Sequence, residues 1–161
     1  MIVVSDTSPI SSLIRIGRLD LLKDIFQKVV IPSEVHKELL EMKNFGWDLS
    51  IFENADWIET RVPSDTILLS QVIVELDRGE AEAITLAKEL NANYLLIDER
   101  KGWDMAKSLG INAIGLVSVL IQAKTIGYIP LVRPVLDELR EKGGFWMGKK
   151  IYQQVLQIVN E

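Results

Sequence analysis

The acidic residues of this chain fall where an open parallel sheet would build a ligand site. Asp6 follows the apolar, β-branched run Ile2-Val3-Val4, and Asp98 follows Tyr94-Leu95-Leu96-Ile97, a continuous buried-strand pattern. Ligands of such sheets bind off the carboxyl ends of the strands, so two carboxylates at two strand ends converge when the strands are neighbours. Pro9 favours Ser8 as N-cap of the first helix, which leaves Asp6 without a capping role. Asp98 has an alternative, capping a helix that begins near Arg100. Glu80 and Glu82 stand about 200° apart around a helix axis, so at most one faces a common site. Asp77-Arg78-Gly79-Glu80 also reads as a capping box, in which Glu80 is purely structural. Glu38 has Glu34 and Glu41 one turn to either side, a spacing that equally suits a solvated acidic helix face.

Several carboxylates converging without histidine or cysteine make a hard-oxygen site, suited to Mg²⁺ or Mn²⁺ with waters completing the shell. Such an ion acidifies its bound water and stabilises charge on a phosphoryl oxygen, so the implied chemistry is phosphodiester hydrolysis without a covalent enzyme intermediate. Competing chemistries are poorly served. Cysteine is absent, which excludes disulfides, thiolate metal sites and cysteine nucleophiles. The one histidine, His36, precedes Leu40 by a helical turn and reads as solvated or packed. No GxGxxG or GxxxxGK[ST] loop is present to cradle a nucleotide. Trp103 and Trp146 stand near basic residues and could stack on a base, although tryptophans of this kind commonly fill cores or interfaces.

The elements that must position these acids alternate along the chain. Strands are predicted at 2–4, 28–31, 57–62 (an edge), 94–97 and 112–114. Helices are predicted from Pro9, over 19–26, 34–42, from Ser64 or Asp65 to Leu76, over 80–90, 103–109, 117–125, 131–142 and 149–159, with a loop or short helix over 44–54. Parallel neighbours need helical crossovers, so the pattern predicts an α/β sandwich with a mostly parallel sheet.

With 161 residues, 48% of them hydrophobic and 25% charged, the chain is sized for one domain and too apolar for disorder. No apolar run approaches the roughly 18 residues of a membrane helix, and MIVVSD lacks the basic start of a signal peptide, so a cytoplasmic protein is expected. Residues 1–99 carry nine Lys and Arg against eighteen Asp and Glu, and residues 100–161 carry nine against five. That asymmetry fits a cation site beside a polyanion-binding rim, or two differently solvated faces.

Four blocks in order carry a family resemblance: VVSDTSPISSLIRIG, VVIPSEVHKELL, LDRGEAEAITLAKELNANY and LLIDERKG. Together they resemble the PIN-domain proteins, the fold of the VapC-like toxin nucleases, over about residues 1–125. The helices over about 126–161 look like a C-terminal extension within the same single domain. The resemblance implies a Rossmann-like α/β/α sandwich and a Mg²⁺- or Mn²⁺-dependent endoribonuclease site of Asp6, Glu38, Glu80 and Asp98, with Asp6, Glu80 and Asp98 as metal ligands. Thr7 or Ser8 would assist by hydrogen bonding, Glu82 and Glu99 are accessory acids, and Glu82 competes with Glu80 for the third position. Arg100, Lys101, Lys149 and Lys150 would meet RNA phosphates. An antitoxin protein and a second copy of the chain are the implied partners. Two departures stand out: the third acid is usually aspartate, and Arg100 replaces an aspartate often found two residues after the fourth acid. The rival reading is a non-catalytic PIN-fold nucleic-acid-binding or scaffold protein with a degraded metal site. Retention of four acids favours the enzyme.

Overall fold

A computed structural model describes residues 1–161. Five strands, β1 (Val3–Ser5), β2 (Val29–Pro32), β3 (Ile58–Arg61), β4 (Tyr94–Leu96) and β5 (Ala113–Ile114), form one sheet in the order β3-β2-β1-β4-β5, with every pairing parallel. The first three strands run outward from β1 in one direction, and β4 and β5 lie on its other side. The order therefore reverses between β1 and β4, the crevice where open α/β sheets bind their ligands.

The crossovers are α1 (Thr7–Arg15), α2 (Asp20–Phe26), α3 (Ser33–Leu40), α4 (Ser50–Glu53), α5 (Thr66–Val72), α6 (Arg78–Glu89) and α7 (Arg100–Ser108), and α8 (Leu116–Thr125) follows the last strand. Two terminal helices follow, α9 (Arg133–Glu141) and α10 (Lys149–Ile158), and a 3-10 turn (Glu41–Phe45) extends α3. Strand side chains alternate between two cores, as a period of two demands. Val3, Val29, Ile31 and Leu96 face a core shared with α1, α2, α3 and α8, whereas Val4, Val30, Leu95 and Ile97 face one built with α5, α6 and α7.

Three sequence expectations need correction. The first helix starts at Thr7, not after Ser8, so Asp6 occupies the N-cap position, although its side chain makes no capping bond there. Pro9 is tolerated because the first four N–H groups of a helix have no partner inside it, so proline fits the third position as readily as the first. Ser8 caps nothing; its Oγ is buried without a hydrogen-bond partner. Asp98 does not cap the helix at Arg100 either, and its actual partner is described below. The helix predicted from Asp65 ends at Val72 rather than Leu76, with the Asp65 carboxylate accepting the Leu68 N–H at 3.0 Å.

The terminal helices are not an appendage. Val135, Leu136 and Leu139 of α9 and Val155 of α10 are buried in the same apolar cluster as Ile10, Leu13 and Val119. Glu161 ties the chain end to this layer: its carboxylate accepts the Val132 and Arg133 N–H groups at 2.8 and 2.9 Å and pairs with Lys124 at 2.9 Å. No helix is long and apolar enough to cross a membrane. Because Leu136 belongs to the shared core, Leu136→Ala should destabilise the whole chain by about 2–5 kcal/mol. Urea unfolding followed by far-UV circular dichroism and by tryptophan fluorescence should give one coincident transition. Earlier melting of the terminal helices would show them to be an independent unit.

Candidate active site

Helix α6 departs most clearly from an ordinary surface helix, because every residue from Gly79 to Ala87 is buried. Small residues, Ala81, Ala83 and Ala87, let it lie close against its neighbours, and Ile84 and Leu86 fill the core. Inside this buried stretch sit two carboxylates, Glu80 and Glu82, and a buried acid is more informative than any exposed one. The two have different fates. Glu82 turns to the start of α3, where it accepts from Ser33 Oγ at 3.1 Å and the Glu34 N–H at 3.3 Å, with Arg78 Nε at 3.0 Å. It satisfies the N-terminus of α3 and is charge-paired.

Glu80 has no such partner. Asp77 caps α6 by accepting the Glu80 N–H at 2.9 Å, and the Glu80 side chain lies 3.9 Å from where a Cβ on Gly102 of α7 would stand. Burial pushes the Glu80 carboxyl up to about 7, with Asp77, Glu99 and Glu38 adding repulsion and the Asp77 N–H opposing. Asp6, at the end of β1, is only 4% exposed. Its backbone N–H donates to the Leu96 carbonyl at 2.9 Å, so it sits against β4 at the reversal of strand order. Burial raises its carboxyl to about 8; the Thr7 N–H opposes this, and Glu80, Asp77 and Glu38 reinforce it.

Glu38 projects from α3 toward the same place. Its Oε2 accepts a hydrogen bond from the Thr7 hydroxyl, and its carboxyl is raised by burial, opposed by Thr7, and then raised further by Asp77, Glu34 and Glu41. The structure thus brings Asp6, Glu38 and Glu80 within mutual electrostatic reach, with Thr7 joined to Glu38. Asp77, which the sequence suggests only as a cap, adds charge to all three. Its place three residues before Glu80, in the same first turn, is the signal that would have found it.

Asp98 is set apart. Its Oδ1 accepts the Leu116 N–H at 2.9 Å, so it caps α8, whereas its Oδ2 is buried with no partner. Burial raises its carboxyl, the Leu116 N–H opposes, and Glu99 raises it further. Exposed Glu99, expected above as an accessory acid, bears on both Asp98 and Glu80. Arg100 and Lys101 follow in the first turn of α7, where the Arg100 side chain is 88% exposed and pairs with Asp104 at 3.3 Å. Lys149 and Lys150 open α10, which belongs to the opposite layer, so the two basic pairs do not share one layer.

His36 hydrogen-bonds Thr60 Oγ1 at 3.0 Å and packs on Phe52, away from any reacting group. Trp103 packs against the core with Lys107 over its ring, and Trp146 is 89% exposed.

The donor set is oxygen only, carries unneutralised charge, and includes one orphaned buried oxygen on Asp98. These features fit a hard divalent ion. No three His, Cys, Asp or Glu side chains are grouped closely enough to hold an ion as they stand.

A parallel five-stranded sheet with an acidic crevice at its switch point defines an α/β domain of PIN type. The family model described as "DUF3368: PIN domain" matches residues 2–161, so the chain belongs to that family. A solved structure, a PilT N-terminus domain protein from the hyperthermophilic archaeon Sulfolobus solfataricus P2, is similar at 25% sequence identity. Its TM-score is 0.55, and the match covers 76% of this chain and 93% of that one. No curated protein matches the chain.

Two outcomes follow from these environments. Folded Asp6 and Glu80 hold protons up to about pH 8 and 7, whereas in the unfolded chain they release them near their ordinary 3.8 and 4.5. Between those limits the native state binds more protons, so metal-free stability should fall as pH rises from about 5 to 8 and level off above. Melting temperatures across that range test this, and Asp6→Asn should flatten the slope. Separately, Glu82→Gln should cost about 1–3 kcal/mol by weakening the cap of α3. Glu80→Gln should leave metal-free stability equal or higher, because it removes an unpaired buried charge; urea unfolding at pH 8 distinguishes the two.

Proposed function

We propose that the chain is a Mg²⁺- or Mn²⁺-dependent endoribonuclease of PIN type. The observation that carries this reading is Asp6: a buried carboxylate at the switch point whose strongest charged neighbours are all carboxylates. Such charge is costly unless something cationic shares the site. Asp6 and Glu80, with the free Oδ2 of Asp98, would hold the ion. When bound, it supplies an acidified water and stabilises negative charge on the phosphoryl oxygen.

The chain's own residues do the rest. Thr7 fixes Glu38 by donating to Oε2, and the carboxylate held in this way would take the proton from the attacking water. Asp77 holds the first turn of α6 so that Glu80 stays in the crevice. Arg100 and Lys101, beside the acids, would position the RNA backbone. An open groove of about 690 Å³, lined by Val74, Glu75, Lys101, Asp104, Met105 and Ser108, offers space for the flanking strand.

The toxin role, restraint by an antitoxin protein, and homodimerisation belong to the same reading. Phe45 and Trp146, 81% and 89% exposed, would be the residues to meet another chain. Sedimentation and growth arrest on expression test these roles.

The enzymatic test is cleavage of single-stranded RNA with and without Mn²⁺. Asp6→Asn and Glu80→Gln should each lower the rate by at least ~100-fold, above the usual effect of losing a group that only orients a ligand. Mn²⁺ should raise the wild-type melting temperature more at pH 8 than at pH 5.5, because protons compete for the same oxygens. Metal-independent cleavage, or none with either metal, would overturn the assignment.

A further inference from the structure

The geometry points to Gly79 as a positioning residue for Glu38: its missing side chain is the space in which the Glu38 carboxylate lies. This inference rests on the nuclease reading of the acidic site. A Cβ built on Gly79 would stand 2.5 Å from Glu38 Oε1, 2.9 Å from Oε2 and 2.9 Å from Cδ. All three atoms of the carboxylate group therefore rest against the one residue of α6 that offers no side chain. Oε2 of the same carboxylate also accepts from the Thr7 hydroxyl. Glu38 thus meets both the first turn of α1 and the first turn of α6.

Nothing in the backbone asks for glycine here. Gly79 lies within helical α6 and is not among the glycines with positive φ. Glycine in a helix is less favourable than alanine by roughly 1 kcal/mol. On backbone grounds alone alanine would suit the position better, so the space left for the Glu38 carboxylate accounts for glycine here. The neighbour that an added methyl would displace is the far end of a flexible side chain, not backbone. Gly79→Ala should therefore fold normally and move the carboxylate. A pure packing residue would behave in the opposite way, losing stability first.

The test uses the full-length chain, stripped of metal, with Mn²⁺ binding followed by electron paramagnetic resonance. Glu38 adds negative charge beside the proposed ligands Asp6 and Glu80, so Gly79→Ala should weaken Mn²⁺ binding by about 10–100-fold, the usual effect of losing a group that supports the ligands. Its metal-free melting temperature should match or exceed that of the wild type. Glu38→Asp withdraws the carboxylate by one methylene and makes room for the methyl. In that background, adding Gly79→Ala should change Mn²⁺ affinity by less than threefold, the coupling expected of residues in direct contact. Gly79→Ala binding Mn²⁺ within twofold of the wild type would overturn the positioning role alone. So would an equal loss in both backgrounds accompanied by a lower melting temperature, which marks a structural glycine. A wild type that binds no Mn²⁺ overturns the nuclease reading and this inference together.

Discussion

Carboxylates buried without a counter-charge are the constraint around which this molecule is arranged. Asp6 and Glu80 are both nearly inaccessible, and the charges that act on them most strongly are negative. An arrangement of this kind survives only because the surrounding fold is stable enough to hold it. Two apolar cores, one on each side of the sheet, supply that stability through residues such as Ile31, Leu96, Leu95 and Ile84. The acids sit at the rim where the two layers meet, reached from β1, α3 and α6. No single element could have gathered them.

Helix starts supply most of the positioning. Asp6 lies at the start of α1, Asp77 and Glu80 in the opening turn of α6, and Glu99 at the start of α7, with Asp98 just before it. Parallel strands feeding helices bring these starts to one edge of the sheet. The positive ends of the helices favour negative charge nearby, which offsets part of the repulsion among the acids. Glycine recurs at the same edge: a Cβ at Gly115 would stand 2.8 Å from Asp98 Oδ1, as one at Gly79 would meet Glu38. Close approach of an acid to a neighbouring backbone is thus a repeated device here.

Much of the fold was legible in the chain because strand and helix periods differ. The continuous apolar runs at Val29-Val30-Ile31 and Tyr94-Leu95-Leu96 are too short for helices, and their alternation with helices implied parallel pairing. Helix ends were less legible. Pro9 reads as a first helical residue, but the physics allows it anywhere in the first turn, and the chain used that freedom to begin α1 at Thr7. Asp98 shows a second limit. Its cap is on α8, eighteen residues away, and no local pattern reveals a contact of that range.

Glu80 exposes a more instructive limit. The sequence set two readings against each other, capping box or site acid, as though one side chain could serve only one of them. In the structure Asp77 accepts the Glu80 N–H, and the Asp77 N–H in turn favours the charged Glu80 carboxyl, while Asp6, Glu38 and Glu80 still share one electrostatic neighbourhood. The cap settles where the first turn of α6 begins, and the location of that turn decides what Glu80 faces. Its competitor Glu82, two residues on, is carried around the helix to the start of α3 and neutralised there by Arg78. Capping is the means by which Glu80 is aimed, so the local motif and the long-range site are one feature seen at two scales.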